Sequence, residues 1–127
     1  MDLHTAANAV PSVDGTDLGD LLDELRGIHA GIDLILDGLR HIAHDRHTLD
    51  RTQTLCAALA GTDCDVITAI AHLVARLADP DTNPALRTLP LDQQKAARLA
   101  GEQTAYALTD PDLHQHASET AAAIDGT

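Results

Sequence analysis

Apolar residues recur along the first half of the chain at the spacing of a helix that buries one stripe. No proline interrupts Asp17 to Ala60. With Leu18 at heptad position a, Leu25, Ile32 and Leu39 fall at later a positions, and Leu21, Ile28, Ile35, Ile42 and Leu49 fall at d. Leu18 to Ile42 is free of polar a or d residues, so the pattern predicts a self-association seam of Leu18, Leu21, Leu25, Ile28, Ile32, Ile35, Leu39 and Ile42. Leu22 and Leu36, at e, widen it. Gly31 and Gly38 share position g, where each costs up to about 1 kcal/mol of helix propensity and would let another helix backbone come close. Past Ile42 the seam weakens, because Arg46 and Gln53 take a positions.

One helix over these 44 residues would be about 66 Å long, whereas a compact chain of this size has a radius of gyration of roughly 14 Å. A second copy must cover such a rod, or it must break near His47 to Asp50, where Thr48 and Asp50 are plausible N-caps. The continuous rod is the favoured expectation because no glycine or proline marks a turn there.

Around the rod the chain divides simply. Residues 1–16 lack periodicity and predict a flexible arm, with Thr16 or Asp17 capping the first helix. Residues 17–127 predict a single all-helical domain. Gly61 should end the rod as a C′ residue, and Thr62 or Asp63 should open a second helix carrying Val66, Ile67, Ile70, Leu73, Val74 and Leu77. Pro80, Pro84 and Pro90 mark a loop with a short turn around Ala85 to Leu89. A third helix runs from an Asp92 cap to Leu108, with Ala96, Leu99, Ala100, Gln103, Tyr106 and Ala107 on one side. Asp110-Pro111 starts a fourth, with Leu113, Ala117, Ala121 and Ile124 as its stripe. The predicted fold is all-α: a long first helix and three shorter ones in a bundle, assembled as a helical homodimer or larger homo-oligomer.

Composition narrows the function classes. Phe and Trp are absent and Tyr106 is the only aromatic residue, so the core must be aliphatic and alanine-rich. Twenty acidic residues against eight basic ones give a formal net charge of -12. That charge argues against direct binding of nucleic acid; a merely solvating surface is the plainer expectation, and a basic protein is the partner that it could steer. No apolar run approaches the ~20 residues of a membrane helix, and the amino terminus lacks the basic start and apolar core of a secretion signal. A cytoplasmic protein of a high-GC bacterium or its phage is expected, with Cys56 and Cys64 as reduced thiols rather than a metal pair or a redox CxxC motif.

The most conspicuous candidate chemistry is His41, His44, Asp45 and His47. Spacing by three on a helix lets neighbours approach but turns His41 and His47 apart by about 120°, so only an adjacent pair could chelate without help from elsewhere. These positions lie opposite the seam, where a solvated polar face is the default. His44-Asp45 is similar to the dyad of metal-dependent HD phosphohydrolases, although the match covers two residues only. Leu25-Arg26 with Asp33 seven residues on resembles the small helical chorismate mutases. Those grip a dianion with several cations, and here the later helices offer little beyond Arg76, Lys95 and Arg98. The acidic groups Asp20, Asp23 and Glu24, and Asp33 with Asp37, fit a solvated helix face and lack a second cluster to complete a Mg²⁺ cage. The expected function is therefore a non-enzymatic protein–protein interaction module without a cofactor: an adaptor, an antitoxin-like inhibitor, or a phage or plasmid accessory protein. The alternative is a small metal-dependent hydrolase using the His41–His47 region.

Overall fold

The computed structural model describes residues 9–61 and 64–125, and among them every regular element is helical. The chain forms two compact units, Met1–His47 and Thr48–Thr127.

In the first unit, α1 (Asp17–Glu24) and α2 (Ala30–His44) occupy the stretch expected to form one rod. Two local causes divide them. Gly27 takes φ +91°, open to glycine and strained for other residues, and its N–H donates to Asp33 Oδ1 at 2.9 Å. His29 is then the extended N-cap of α2, its Nδ1 accepting the Gly31 N–H at 2.8 Å. At the far end α2 stops at Asp45, which is extended, and the next helix starts after Thr48, whose hydroxyl accepts the Arg51 N–H. The expected continuous helix is thus corrected to three separate ones. The second interruption falls where the alternative placed it, and the first falls at a glycine inside the seam.

α2 packs back on α1. Leu22, 2% exposed, and Leu36 form the core with Val13, which lies in the stretch expected to be an arm; Ile32, Leu39 and Ala43 flank it. Thr16 caps α1, accepting the Gly19 N–H at 3.2 Å. Gly19 is buried against the Val13 carbonyl, which leaves no room for a Cβ. Arg40 pairs with Asp23 at 3.2 Å and Asp14 at 3.6 Å, and Arg26 with Asp37 at 2.7 Å. These exposed pairs add little energy.

The second unit begins with α3 (Leu49–Cys56), which widens into a π-helical turn over Ala57–Gly61. Next come α4 (Val66–Leu77), a 3₁₀ turn (Pro84–Thr88), α5 (Leu91–Leu108) and α6 (Pro111–Asp125). The expected caps Thr62 and Asp63 lie outside the described residues. Asp65 is the observed N-cap of α4, accepting the Thr68 N–H at 2.8 Å. Asp110 opens α6, its carboxylate accepting the Asp112 N–H at 2.9 Å.

Small residues set the packing here. Gly101 of α5 approaches α4 so closely that a Cβ would stand 2.5 Å from Ala78 Cβ. The buried side of α5 therefore runs along Gln94, Ala97, Arg98, Gly101, Ala105 and Leu108, and the expected face is reversed, leaving Leu99 and Tyr106 exposed. α4 likewise buries Ala71 and exposes Leu73 and Leu77. Gly61 is buried against the Ala117–Ser118 backbone of α6 and lacks the positive φ expected of a C′ glycine.

Within Leu49–Leu77 an 18-residue window reaches a mean hydropathy of 1.4, so by length and composition alone this stretch is apolar enough to cross a membrane, where no such run was expected. Its described residues fall into two helices, and Asp65, between them, leaves helical geometry as a buried carboxylate.

Candidate functional site

The predicted seam lies in the first unit, divided between the two faces of the helical hairpin. α1 commits Leu22 to the core, leaving Leu18, Leu21 and Leu25 exposed on the same side of the helix. α2 turns Ile32, Leu36, Leu39 and Ala43 inward, while Ile35 stays exposed and Ile42 half-buried at the margin. Ile28, in the turn, is 68% exposed. Five of the eight seam residues, Leu18, Leu21, Leu25, Ile28 and Ile35, therefore face solvent, whereas Ile32 and Leu39 are used within the unit. Gly38 has open space where its Cβ would be, and Gly31 has only its own cap, His29, nearby.

The histidine group does not assemble a metal site. α2 ends at His44, so the helical spacing that would align His41, His44 and His47 stops before the last of them. His41 is exposed. His44 Nε2 accepts the Val13 N–H at 3.1 Å, and Asp45 accepts the Arg46 N–H at 3.0 Å. His47 Nε2–H donates to the Ile42 carbonyl at 2.8 Å, satisfying a helix-end acceptor, while its Nδ1 is buried without a partner. Among the described residues no three His, Cys, Asp or Glu side chains are grouped as a metal ligand set.

The most heavily built polar constellation lies in the second unit and was not singled out by the sequence. His114, 8% exposed on α6, directs Nδ1 at the Ala60 carbonyl (2.6 Å) and at Asp65 Oδ2 (2.7 Å), and Nε2 at the Leu108 carbonyl (2.8 Å). Ala60 lies in the π turn, and the Gly61 carbonyl beside it accepts the Ser118 hydroxyl. The Leu108 carbonyl is at the end of α5. One ring thus links three helix termini to α6. The Leu108 carbonyl raises the His114 pKa above its ordinary value; burial opposes this, and the Ala60 carbonyl and the Asp65 carboxylate reinforce it. Beside the ring is a cavity of about 350 Å³ lined by Gly61, Thr68, Thr109, Pro111, His114, Gln115 and Ser118. Thr68 Oγ1 is buried there without a hydrogen-bond partner.

Comparison of the chain with protein-family models, with curated proteins and with solved structures gives no match.

Proposed function

We propose that the protein is a non-enzymatic interaction module that self-associates through the exposed apolar row Leu18, Leu21, Leu25, Ile28 and Ile35. The observation that carries this reading is their exposure in a unit whose buried core comprises Val13, Leu22 and Leu36. Large apolar side chains left exposed in this number on one small unit mark a candidate interaction surface. About half of each side chain is exposed, so covering one is worth roughly 1 kcal/mol, and five on each of two protomers give on the order of 10 kcal/mol gross. Association costs about 4–15 kcal/mol in lost freedom, which leaves at most about 6 kcal/mol and places self-association at tens of micromolar or weaker. The net charge of -12 opposes it at low ionic strength and favours a basic protein as the further partner. An adaptor or antitoxin-like inhibitor has these requirements.

The test is the mass in solution, by sedimentation or light scattering across the micromolar range. The wild type should be a dimer or larger, and more so as salt screens the repulsion. Leu21→Asp, at a position 54% exposed in the chain, should yield a folded monomer, while Asp37→Ala changes little. A wild type that stays monomeric at the highest concentration refutes the proposal, as does a Leu21→Asp variant that still assembles.

A further inference from the structure

An imidazole ring whose two nitrogens both face acceptors must carry two protons. The partners of His114 are the carbonyls of Ala60 and Leu108 and the carboxylate of Asp65, at 2.6, 2.8 and 2.7 Å. A neutral ring has one N–H. With the proton on Nε2, the Nδ1 lone pair would oppose the Ala60 oxygen at 2.6 Å; with the proton on Nδ1, the Nε2 lone pair would oppose Leu108. Protonating Asp65 instead does not relieve the first conflict, because the Ala60 carbonyl cannot donate. The Asp65 carboxylate is also engaged as an acceptor from the Thr68 N–H at the start of α4.

We infer that His114 and Asp65 form a proton-operated latch, which holds the start of α6 on the π turn, α4 and the end of α5 only while the imidazole is doubly protonated. Each element contributes one identifiable group. The π turn presents the Ala60 carbonyl, α5 the Leu108 carbonyl, and α4 the Asp65 carboxylate, the one charged group acting on the ring among the described residues. α6 contributes the ring itself and, one turn on, the Ser118 hydroxyl, which donates to the Gly61 carbonyl. When the ring loses a proton, one buried acceptor is left unpaired beside a lone pair, and the contact turns from attractive to repulsive.

α6 also packs along α3 and the π turn, with His114 and Ala121 buried and Ala117 and Ile124 half-buried, so the polar contacts of His114 govern the docking of its first turns. Its release would widen the cavity floored by His114 and expose the small-residue surface of Gly61 and Ala117.

The sign follows from the direction of the shift. A histidine pKa raised on folding contributes stability that is complete below its ordinary value of 6.5 and is lost as pH rises through the folded value. α6 should therefore be docked at mildly acid pH and loosened at alkaline pH.

Two measurements on the full chain test this. Nitrogen-15 spectra of the wild-type imidazole should show both ring nitrogens of His114 protonated at about pH 6, with a titration midpoint above the ordinary histidine range. Asp65→Asn keeps an N-capping side chain and should move that midpoint down. Amide hydrogen exchange should show protection of α6 lost selectively between about pH 6 and about pH 9 after correction for intrinsic exchange, with α4 and α5 still protected. A singly protonated ring at about pH 6 overturns the latch. So does equal protection of α6 at both pH values, or loss of protection in α4 and α5 in step with α6.

Discussion

A single methyl group at Gly101 is a demanding test of the packing that defines the second unit. A Cβ built there lies 2.5 Å from Ala78 Cβ, 3.5 Å from Ala75 Cα and 3.7 Å from the Val74 carbonyl oxygen. Carbon atoms in contact sit about 3.5–4.0 Å apart, so α4 and α5 must part by about 1 Å at this crossing. None of the three is the end of a flexible side chain that could swing away, and Arg98 ties the helices together nearby through Asp79 at 3.0 Å. Overpacking of this kind costs about 1–3 kcal/mol, whereas replacing a mid-helix glycine by alanine gains at most about 1 kcal/mol. Gly101→Ala should therefore destabilise the unit by about 1–2 kcal/mol, a drop in Tm of roughly 4–16 °C for a domain of this size. Urea and thermal unfolding followed by circular dichroism measure it. The compensating variant Gly101→Ala with Ala78→Gly removes the opposing methyl and should recover most of the loss. Gly38→Ala, with nothing within 4 Å of the new methyl, should instead raise stability by up to about 1 kcal/mol. A Gly101→Ala protein as stable as the wild type, or a double variant no better than the single, would refute the close-approach argument.

The first unit rests on Leu22, and Leu22→Ala should cost about 2–5 kcal/mol, whereas Leu34→Ala, 72% exposed on the opposite side, should change stability by less than about 0.5 kcal/mol; denaturant midpoints distinguish the two. His44→Ala removes the acceptor of the Val13 N–H and should cost about 1 kcal/mol, with faster exchange of the Val13 amide, while His41→Gln at an exposed position should leave both readouts unchanged.

Periodicity located most helical residues, but it did not reveal where the first stretch is cut. The heptad register passes through Gly27 because that position is c, where any residue is tolerated on a continuous helix. What ends α1 is the conjunction of Gly27 with Asp33, which accepts its N–H, and His29, which caps the next helix. These signals are local hydrogen-bond chemistry rather than hydrophobic pattern. Val13 escaped for a related reason: an isolated apolar residue has no period, and its value comes from meeting Leu22 and Leu36 across the hairpin. Weighting large side chains misplaces the inward face of α5 and part of that of α4, where Leu73 and Leu77 are exposed while Ile67, Ile70 and Val74 are half-buried. Where backbones approach as closely as Gly101 and Ala78 do, the large residues are the ones excluded.

The same distinction explains why the polar constellation was hard to foresee. His41, His44 and His47 attract attention because they are close in sequence, yet each is consumed by the backbone around the end of α2 or left in solvent. His114 and Asp65 are 49 residues apart, and no motif joins them. A usable signal was present in each. Asp65-Val66-Ile67-Thr68 has a capping residue directly before an apolar run, and His114 sits one residue from Leu113 and three from Ala117, on the flank of the stripe that α6 must bury. A histidine on such a stripe needs acceptors when it enters the interior. The carbonyls of Ala60 and Leu108, near the ends of the π turn and of α5, supply them. The termini of neighbouring helices therefore account for a buried charge that the composition of α6 alone does not explain.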